Sequence, residues 1–478
     1  MDKLPSEPNV QNPPVQPEPV VQGNVNSFNP PVSNNSNVVA PPSKPKIPVI
    51  PLAILAGIIL LVVIFFVGKN LLVKKTPKET EIVYWGLWED SNIIEPLISE
   101  YEAQNPGIKI KYVRQSHQDY RERLLSAMTK DTAPDIFRFH NSWVPMFKKQ
   151  LDYLPASVMS ASEFAQTFYP VAISDLTSET GIVGIPLEYD ALSLFINDDI
   201  FSAAGKTPPK TWDELRSTAR ELTVKDENGI ITQSGVALGR VENVDHWQEI
   251  LALMMLQNGV NLSNPTGKLA EDALTFFTIF STVDGVWDQT LAPSSTEFAA
   301  GKLAMYFAPS WRIFEILQQN PSLNIRAINT PQLPQSSSGD SSLSYASYWV
   351  EGVWAKSPNK VAAWNFLKFL STKESLQKLY QNASKVRLFG EPYPRVDMAN
   401  LLANDPIVGV IVSDAPYAQS WYLYNRTWDG PTGINTLMSK YFEDSITAVN
   451  NGETSKDALE ILSSGVSQVL TQYGLMSQ

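Results

Sequence analysis

The amino-acid sequence predicts an α/β fold for the region after residue 78, and three observations support this prediction. The apolar run Glu81–Leu87 has the length and composition of a buried strand. Apolar residues then recur at helical spacing until Asn105-Pro106-Gly107 ends the helix, and Ile108–Val113 is again strand-like. Ala133–Phe137 follows another helical repeat as a third strand. Strands that alternate with helices form a mostly parallel sheet, and ligands bind at its carboxyl edge.

Chain length and two local motifs add detail to this prediction. At 478 residues the chain is too long for a single core, so at least two folding units are expected. Thr211 and Glu214 match a capping box, which predicts that a helix begins there. Asp226-Glu227-Asn228-Gly229 is typical of a hairpin turn. A calcium loop is the weaker alternative, because its spaced oxygen ligands and distal Glu are missing.

The first 46 residues differ in composition from the rest of the chain. They hold eleven of the 35 prolines and few large apolar side chains. Such a segment buries too little surface to offset the entropy of ordering, so residues 1–46 are predicted to be a disordered tail. A docking peptide is the alternative, because Pro13-Pro14-Val15-Gln16-Pro17 suits a polyproline conformation.

Residues 47–68 contain no charged side chain and are long enough for a transmembrane helix. A cleavable signal peptide is the alternative, but a basic linker at 69–78 follows instead of a small-residue cleavage site. The positive-inside tendency would place the lysines of that linker, and with them the C-terminal domain, in the cytoplasm. The function predicted below nevertheless places that domain outside the cytoplasm, on a single-pass protein of the cell membrane.

Composition excludes several classes of function. The net charge is -12, and residues 1–78 contribute +4, so the remainder carries -16 and would repel nucleic acid. The chain has no cysteine, which removes disulfides, thiolate metal sites and a lipid-acceptor Cys. His117, His140 and His246 show no metal-ligand spacing. We therefore expect no metal and no cofactor.

The segment Gly184–Asn197 is the most informative for function. Glu188 and Asp190 stand at the start of a long apolar strand, where buried charge is costly, so both are expected to face a cleft or a partner. Residues two apart in a strand share a face, so Tyr189 would point away from them. A catalytic carboxylate pair for glycoside hydrolysis is one interpretation, but such pairs come from separate elements. Binding the hydroxyls of a sugar is the simpler one.

With these segments in view, the sequence resembles the family-1 extracellular solute-binding proteins, the maltose- and oligosaccharide-binding class that serves ABC importers. The resemblance covers about residues 79–478. It is carried by seven segments in family order, which are Ile82–Glu89, Ala133–Phe137, Ile185–Asn197, Pro209–Leu215, Gly301–Met305 with Pro309–Trp311, Ala355–Lys360 and Ala362–Leu370. The proline-rich tail and the apparent anchor depart from typical members, which suggests a protein held near its transporter.

The resemblance implies a type II, two-lobed, periplasmic-binding-protein-like fold. Lobe 1 would comprise residues 79–190 and 352–385, and lobe 2 would comprise residues 191–351 and 386–478. The chain would cross between the lobes at Glu188–Leu192 and again at Trp349–Val353. Closure of the lobes around a ligand would be the signal that the permease of the transporter reads.

The resemblance also implies the ligand contacts, by matched position. Aromatic rings stack on the apolar faces of sugars, while acids and amides bind the hydroxyls. The matched positions are Trp88, Glu89, His140, Asn141, Trp143, Tyr189, Asp190, Trp247, Trp311, Trp349 and Glu351.

The predicted function is therefore capture of a small polar ligand, a sugar or oligosaccharide, for an ABC importer, without catalytic residues. Two alternatives stay open. A surface receptor could present the same cleft to a signalling partner, and a glycoside hydrolase would need an acid pair across the cleft with one raised pKa.

Overall fold

The computed structural model describes residues 57–64, 79–178, 180–334 and 342–476. Residues 1–75 and 76–478 belong to separate units. In the first unit residues 57–64 are helical, and their apolar side chains are exposed. Among the described residues, no helix combines the length and apolar character that a membrane crossing needs. The predicted tail, the linker and most of the predicted span lie outside the described residues.

The second unit contains a first five-stranded sheet, whose strands are β1 (Thr80–Gly86), β2 (Ile108–Arg114), β3 (Ile136–His140), β6 (Ile185–Pro186) and β13 (Trp349–Val353). Its strand order is β2-β1-β3-β13-β6. Strands β1, β2 and β3 are parallel, as the alternation of strands and helices predicts, whereas β13 runs antiparallel between β3 and β6.

The strands of a second five-stranded sheet are β7 (Ser193–Asn197), β8 (Val224–Lys225), β9 (Ile231–Val236), β10 (Leu303–Ala308) and β11 (Ile325–Ile328). Their order is β11-β7-β10-β9-β8. Strand β7 is antiparallel to β10 and β11, while β9 and β10 are parallel. Every side chain of β7 and β10 is buried, because helices and loops cover the sheet.

Helices connect and cover these sheets. They are α1 (Ser91–Gln104), α2 (Tyr120–Thr129), α3 (Val144–Phe147), α4 (Ala161–Thr167), α5 (Pro170–Leu176), α6 (Asp198–Ala203), α7 (Trp212–Leu222), α8 (Trp247–Gln257), α9 (Lys268–Thr282), α10 (Ser294–Ala299), α11 (Arg312–Gln319), α12 (Lys360–Leu370), α13 (Lys373–Ala383), α14 (Gly409–Asp414), α15 (Ile434–Asn450) and α16 (Ser455–Gln472). Short 3-10 helices span Asn141–Trp143, Val396–Leu401 and Ala415–Tyr417. The remaining strands form two pairs, β4 (Thr177–Ser178) with β5 (Gly181–Ile182) and β12 (Ser344–Tyr345) with β14 (Ala418–Gln419).

Both local motifs are confirmed. The Thr211 hydroxyl accepts a hydrogen bond from the Glu214 amide, and the Glu214 carboxylate accepts one from the Thr211 amide, so α7 begins with a complete capping box. Strands β8 and β9 form the predicted hairpin, and Gly229 turns with a φ of 81° that a glycine adopts without strain.

The chain passes from one sheet to the other at the segments that flank the site. The first passage lies between Pro186 of β6 and Ser193 of β7, as the resemblance implies. The second passage ends at Trp349, which already pairs with His140 of β3. Trp349–Val353 therefore belongs wholly to the first sheet, although the predicted lobe boundary places residues 349–351 in the second lobe.

Candidate functional site

A cavity of about 490 Å³ lies where segments from both sheets meet. The first sheet contributes residues that follow or end its strands, and the second contributes the segment after β10 and the start of α8. Two further segments, near residues 387–391 and 425–428, complete the wall. The cavity is lined by Trp88, His117, His140, Glu188, Asp190, His246, Glu249, Pro309, Trp311, Phe314, Glu315, Ser347, Trp349, Arg387, Glu391, Asn425, Arg426 and Trp428.

One wall of the cavity is a continuous series of aromatic rings. Trp428 lies 4.3 Å from His117 between ring centroids, and His117 lies 5.7 Å from Trp88. Trp88 then meets Trp349 edge to face at 5.4 Å, and Trp349 meets His140 at 5.3 Å. These five rings come from five separate segments of the chain, so only the tertiary fold assembles them. Such a wall offers the apolar faces and edges on which a sugar ring packs.

Trp311 lies elsewhere on the cavity wall and is contacted by two guanidinium groups. The Cζ of Arg312 lies 4.9 Å from the centre of the Trp311 ring, and the Cζ of Arg426 lies 5.7 Å from it. Arg426 also pairs with Glu315 at 3.3 Å. Cation–π contact with these groups orients the indole.

Glu249 is held by neighbours that leave one carboxylate oxygen unused. Arg312 Nε donates to His246 Nε2 at 3.1 Å, so the proton of a neutral His246 is on Nδ1, 3.2 Å from Glu249 Oε1. The amide of Asn425 donates to the same oxygen at 3.0 Å. Glu249 Oε2 has no hydrogen-bond partner among the described residues. A ligand donor is the kind of group that would satisfy it.

Asp190 joins the first passage between the sheets to the segment after β10. Its carboxylate accepts hydrogen bonds from Ser310 N at 3.1 Å, Ser310 Oγ at 2.8 Å and Ala191 N at 2.8 Å. Burial nevertheless raises the pKa of Asp190 to about 7. Asp190 therefore changes protonation close to neutral pH.

Glu188 lines the cavity and also belongs to the buried charge network around Arg138. Its Oε1 accepts a hydrogen bond from the Trp349 amide at 3.0 Å, and its Oε2 lies 3.7 Å from Arg138 Nη1. Carboxylate oxygens of Glu89, Glu188 and Glu391 all lie within 4.8 Å of one another. Burial and the nearby Glu391 carboxylate raise the pKa of Glu188 well above its ordinary value.

His140 is a neutral hydrogen-bonding group in this site. Burial lowers its pKa to about 3. Its ring nitrogens contact Ser142 Oγ at 2.8 Å and Ser347 Oγ at 3.2 Å. His140 is thus committed to positioning two serines next to the aromatic wall.

The structure brings five of the predicted residues to the cavity wall, namely Trp88, His140, Asp190, Trp311 and Trp349. The predicted acids Glu89 and Glu351 do not line it, because Arg138 binds both at 2.7 and 2.6 Å inside the first sheet.

Four other predicted residues also lie away from the cavity wall. Asn141 donates hydrogen bonds to Asp175 at 2.9 Å and to the Tyr424 hydroxyl at 3.3 Å. The other three side chains pack in the hydrophobic core, and they are Trp143, Tyr189 and Trp247. Tyr189 packs in the core while Glu188 and Asp190 line the cavity, as predicted, but residues 188–190 lie between β6 and β7 and do not form a strand.

Several lining residues were not predicted as contacts. His117 and His246 were assigned no contact with the ligand, and Glu188 was expected to face a cleft without being named as a contact. Arg426 and Trp428 come from a segment without a family motif. His246, Arg426 and Trp428 have φ values of 61°, 56° and 54°, and such left-handed backbone concentrates at ligand sites. An aromatic-rich run, Trp421–Trp428, was the available signal in the sequence.

Comparison with known proteins identifies the family. A family model described as bacterial extracellular solute-binding protein matches residues 86–377, more than half of the chain. The multiple sugar-binding protein of Streptococcus mutans is 21% identical over 369 residues, which cover 73% of this chain and 83% of that protein.

Two solved structures share the fold. The cyclic α-maltosyl-1,6-maltose binding protein from Arthrobacter globiformis aligns with a TM-score of 0.67 and 18% identity, over 82% of this chain and 100% of that one. The sugar-binding protein MalE from Xanthomonas citri aligns with a TM-score of 0.66 and 19% identity, over 83% of this chain and 98% of that one. The two-lobed α/β prediction and the family resemblance are thereby confirmed. The chain belongs to the bacterial extracellular solute-binding proteins, which bind solutes and are not enzymes.

Proposed function

We propose that this chain captures a sugar or oligosaccharide in the cavity and presents it to the permease of an ABC importer. The observation that carries the proposal is the aromatic wall from Trp428 to Trp349, which shares one cavity with the carboxyl groups of Asp190 and Glu249. Flat apolar faces beside hydrogen-bonding acids match the alternating character of a pyranose. The names of the relatives support a sugar, since all three bind sugars.

Lobe closure is the proposed signal to the importer. We place the division of the lobes at the predicted boundaries, 79–190 with 352–385 and 191–351 with 386–478, moved so that Trp349–Glu351 joins the first lobe. The cavity then lies between the lobes, next to the passages of the chain that would bend. Of the predicted contacts, five are within reach of the ligand, namely Trp88, His140, Asp190, Trp311 and Trp349, and the other six lie away from the cavity wall.

We further propose that residues 47–68 anchor the protein in the cell membrane, with the binding domain outside the cytoplasm. The uncharged composition of that segment supports this arrangement, and the family is extracellular by description. Fractionation of cells that express the full chain, followed by protease treatment of intact cells, tests it. Retention in the membrane fraction with protease-accessible residues 79–478 is expected, and a protected domain would contradict it.

The sugar proposal is tested by a thermal-shift screen of residues 79–478 against mono- and oligosaccharides, with amino acids and polyols as comparison ligands. A sugar that raises the midpoint in a concentration-dependent way, with one ligand bound per chain and no turnover, is the expected result. Stabilisation by a solute of another class, with no sugar active, would overturn the assignment of a sugar.

A further inference from the structure

The acids that line the cavity outnumber the guanidinium groups, and the guanidinium groups are already engaged. Within the described part of the chain, two arginines line it, Arg387 and Arg426, against five carboxyl groups, those of Glu188, Asp190, Glu249, Glu315 and Glu391. Arg387 pairs with Glu391 at 2.6 Å, and Arg426 pairs with Glu315 at 3.3 Å.

The three acids that remain have little compensation among the described residues. Asp190 is held by neutral donors only. The nearest guanidinium to Glu188 belongs to Arg138, 3.7 Å away, and it binds Glu89 and Glu351 at shorter distance.

Glu249 has one carboxylate oxygen with unfilled binding capacity. Glu249 is only 3% exposed. Its Oε1 already accepts two hydrogen bonds, whereas its Oε2 has no hydrogen-bond partner among the described residues. A buried carboxylate in this state is costly unless a cation or a donor reaches it. Burial raises the pKa of Glu188 and of Asp190, which favours the uncharged form of both groups, so Glu249 is the acid considered for pairing with a cation.

The aromatic wall suits a cation as well as a sugar ring. A cation is attracted to the face of an indole, and Arg426 over Trp311 already makes this contact at the cavity. Trp88, Trp349 and Trp428 present further indoles. The carboxylates on the cavity wall would repel an anionic sugar. Among the described residues that line the cavity, both guanidinium groups are already paired with acids, so acidic sugars are disfavoured.

We propose that the ligand is a sugar that carries a basic amino group, and that its ammonium group pairs with Glu249. The proposal rests on the proposed function and narrows its ligand class. The ammonium supplies the charge that the cavity lacks, while the sugar ring packs on the aromatic wall. A charge-assisted hydrogen bond of this kind gives roughly a 10- to 100-fold gain in affinity.

The test is calorimetric titration of the purified full chain with three β-1,4-linked disaccharides of similar size. One has free amines, one has the same amines acetylated, and one carries hydroxyls instead. We expect the amine-bearing sugar to bind at least about tenfold more tightly than the other two. Glu249→Gln should remove this advantage and reduce binding of the hydroxyl sugar much less. Glu460→Gln, an exposed residue on α16, is the matched control and should leave all three affinities unchanged.

The outcomes separate the two proposals. If the hydroxyl or acetylated sugar binds as tightly as the amine, the amine proposal is wrong and the sugar-binding proposal stands. If none of the three disaccharides and no sugar from the wider screen binds, both are wrong. If calcium ions alone bind to the full chain and abolish the preference for the amine, a metal supplies the missing charge, and the amine proposal is again overturned.

Discussion

Arg138 lies 2.6 Å from a carboxylate oxygen of Glu351, and this pair is buried in the first sheet instead of facing the ligand cavity. The Tyr84 hydroxyl donates to the same oxygen at 2.9 Å. Glu351 thus balances a buried cation at the end of the second passage between the sheets.

Glu351→Ala should destabilise the fold strongly, because it leaves the Arg138 guanidinium buried with fewer partners. Loss of one partner of a buried pair costs about 3–5 kcal/mol. Urea denaturation measures the change. Asp272→Ala, which removes an exposed i,i+4 pair with Lys268, is the control and should hardly move the midpoint. A similar small shift for both variants would contradict the structural role of Glu351.

Trp428→Ala should weaken ligand binding with little loss of stability. The residue is 38% exposed, and its ring contacts His117 at a tilt of 45° on the cavity wall. Its removal therefore takes a packing surface from the ligand and little from the core. We expect affinity to fall at least about tenfold, equal to about 1.4 kcal/mol. Trp421→Ala is the control in the same segment. Its indole packs on Phe442 away from the cavity, so it should lower stability and spare affinity. If Trp428→Ala lowered stability and spared affinity while Trp421→Ala weakened binding, Trp428 would not be a ligand contact.

Asp190 should make the protein less stable as the pH rises from about 4 to about 7. Burial raises its folded pKa to about 7 from 3.8, so in this window the folded state holds a proton that the unfolded state has lost. The stability contributed by that proton is present at the acid end and disappears as the pH passes the folded pKa. Asp190→Asn removes the titration. The difference in unfolding free energy between the two proteins should therefore change between pH 5 and pH 7, and a constant difference would count against the raised pKa.

Thr211→Ala should cost about 1 kcal/mol of stability, because it removes one half of the capping box at the start of α7. The unfolding midpoint in urea measures this change. Thr211→Ser retains the hydroxyl and should retain most of the stability. Equal losses in both variants would show that the methyl group, and not the cap, is responsible.

The parts of this fold that depend on local pattern could be predicted from the sequence. Strands β1 and β3 follow from apolar runs bounded by turn residues, and the start of α7 follows from Thr211 and Glu214, because neighbours in the chain determine these features. The aromatic residues of the site were harder to assign. Trp143 and Trp349 lie 5.5 Å apart, yet the first is core and the second lines the cavity.

The remaining errors have a common physical origin in distant contacts. Glu351 was predicted to bind ligand, and its pairing with Arg138 was not foreseen because Arg138 lies 213 residues earlier in the chain. Trp428 was missed because its place beside His117 depends on a passage of the chain that no local motif indicates. Only long-range packing decides which charged and aromatic side chains reach the cavity.

The most direct test of this account is a crystal structure of residues 79–478 with the sugar selected by the screen. We predict one sugar inside the cavity, packed against Trp88, Trp349 and Trp428, with hydrogen bonds to Asp190 or Glu249. A sugar bound elsewhere, for example in the surface groove beside Ile200 and Leu323, with this cavity still empty, would contradict it.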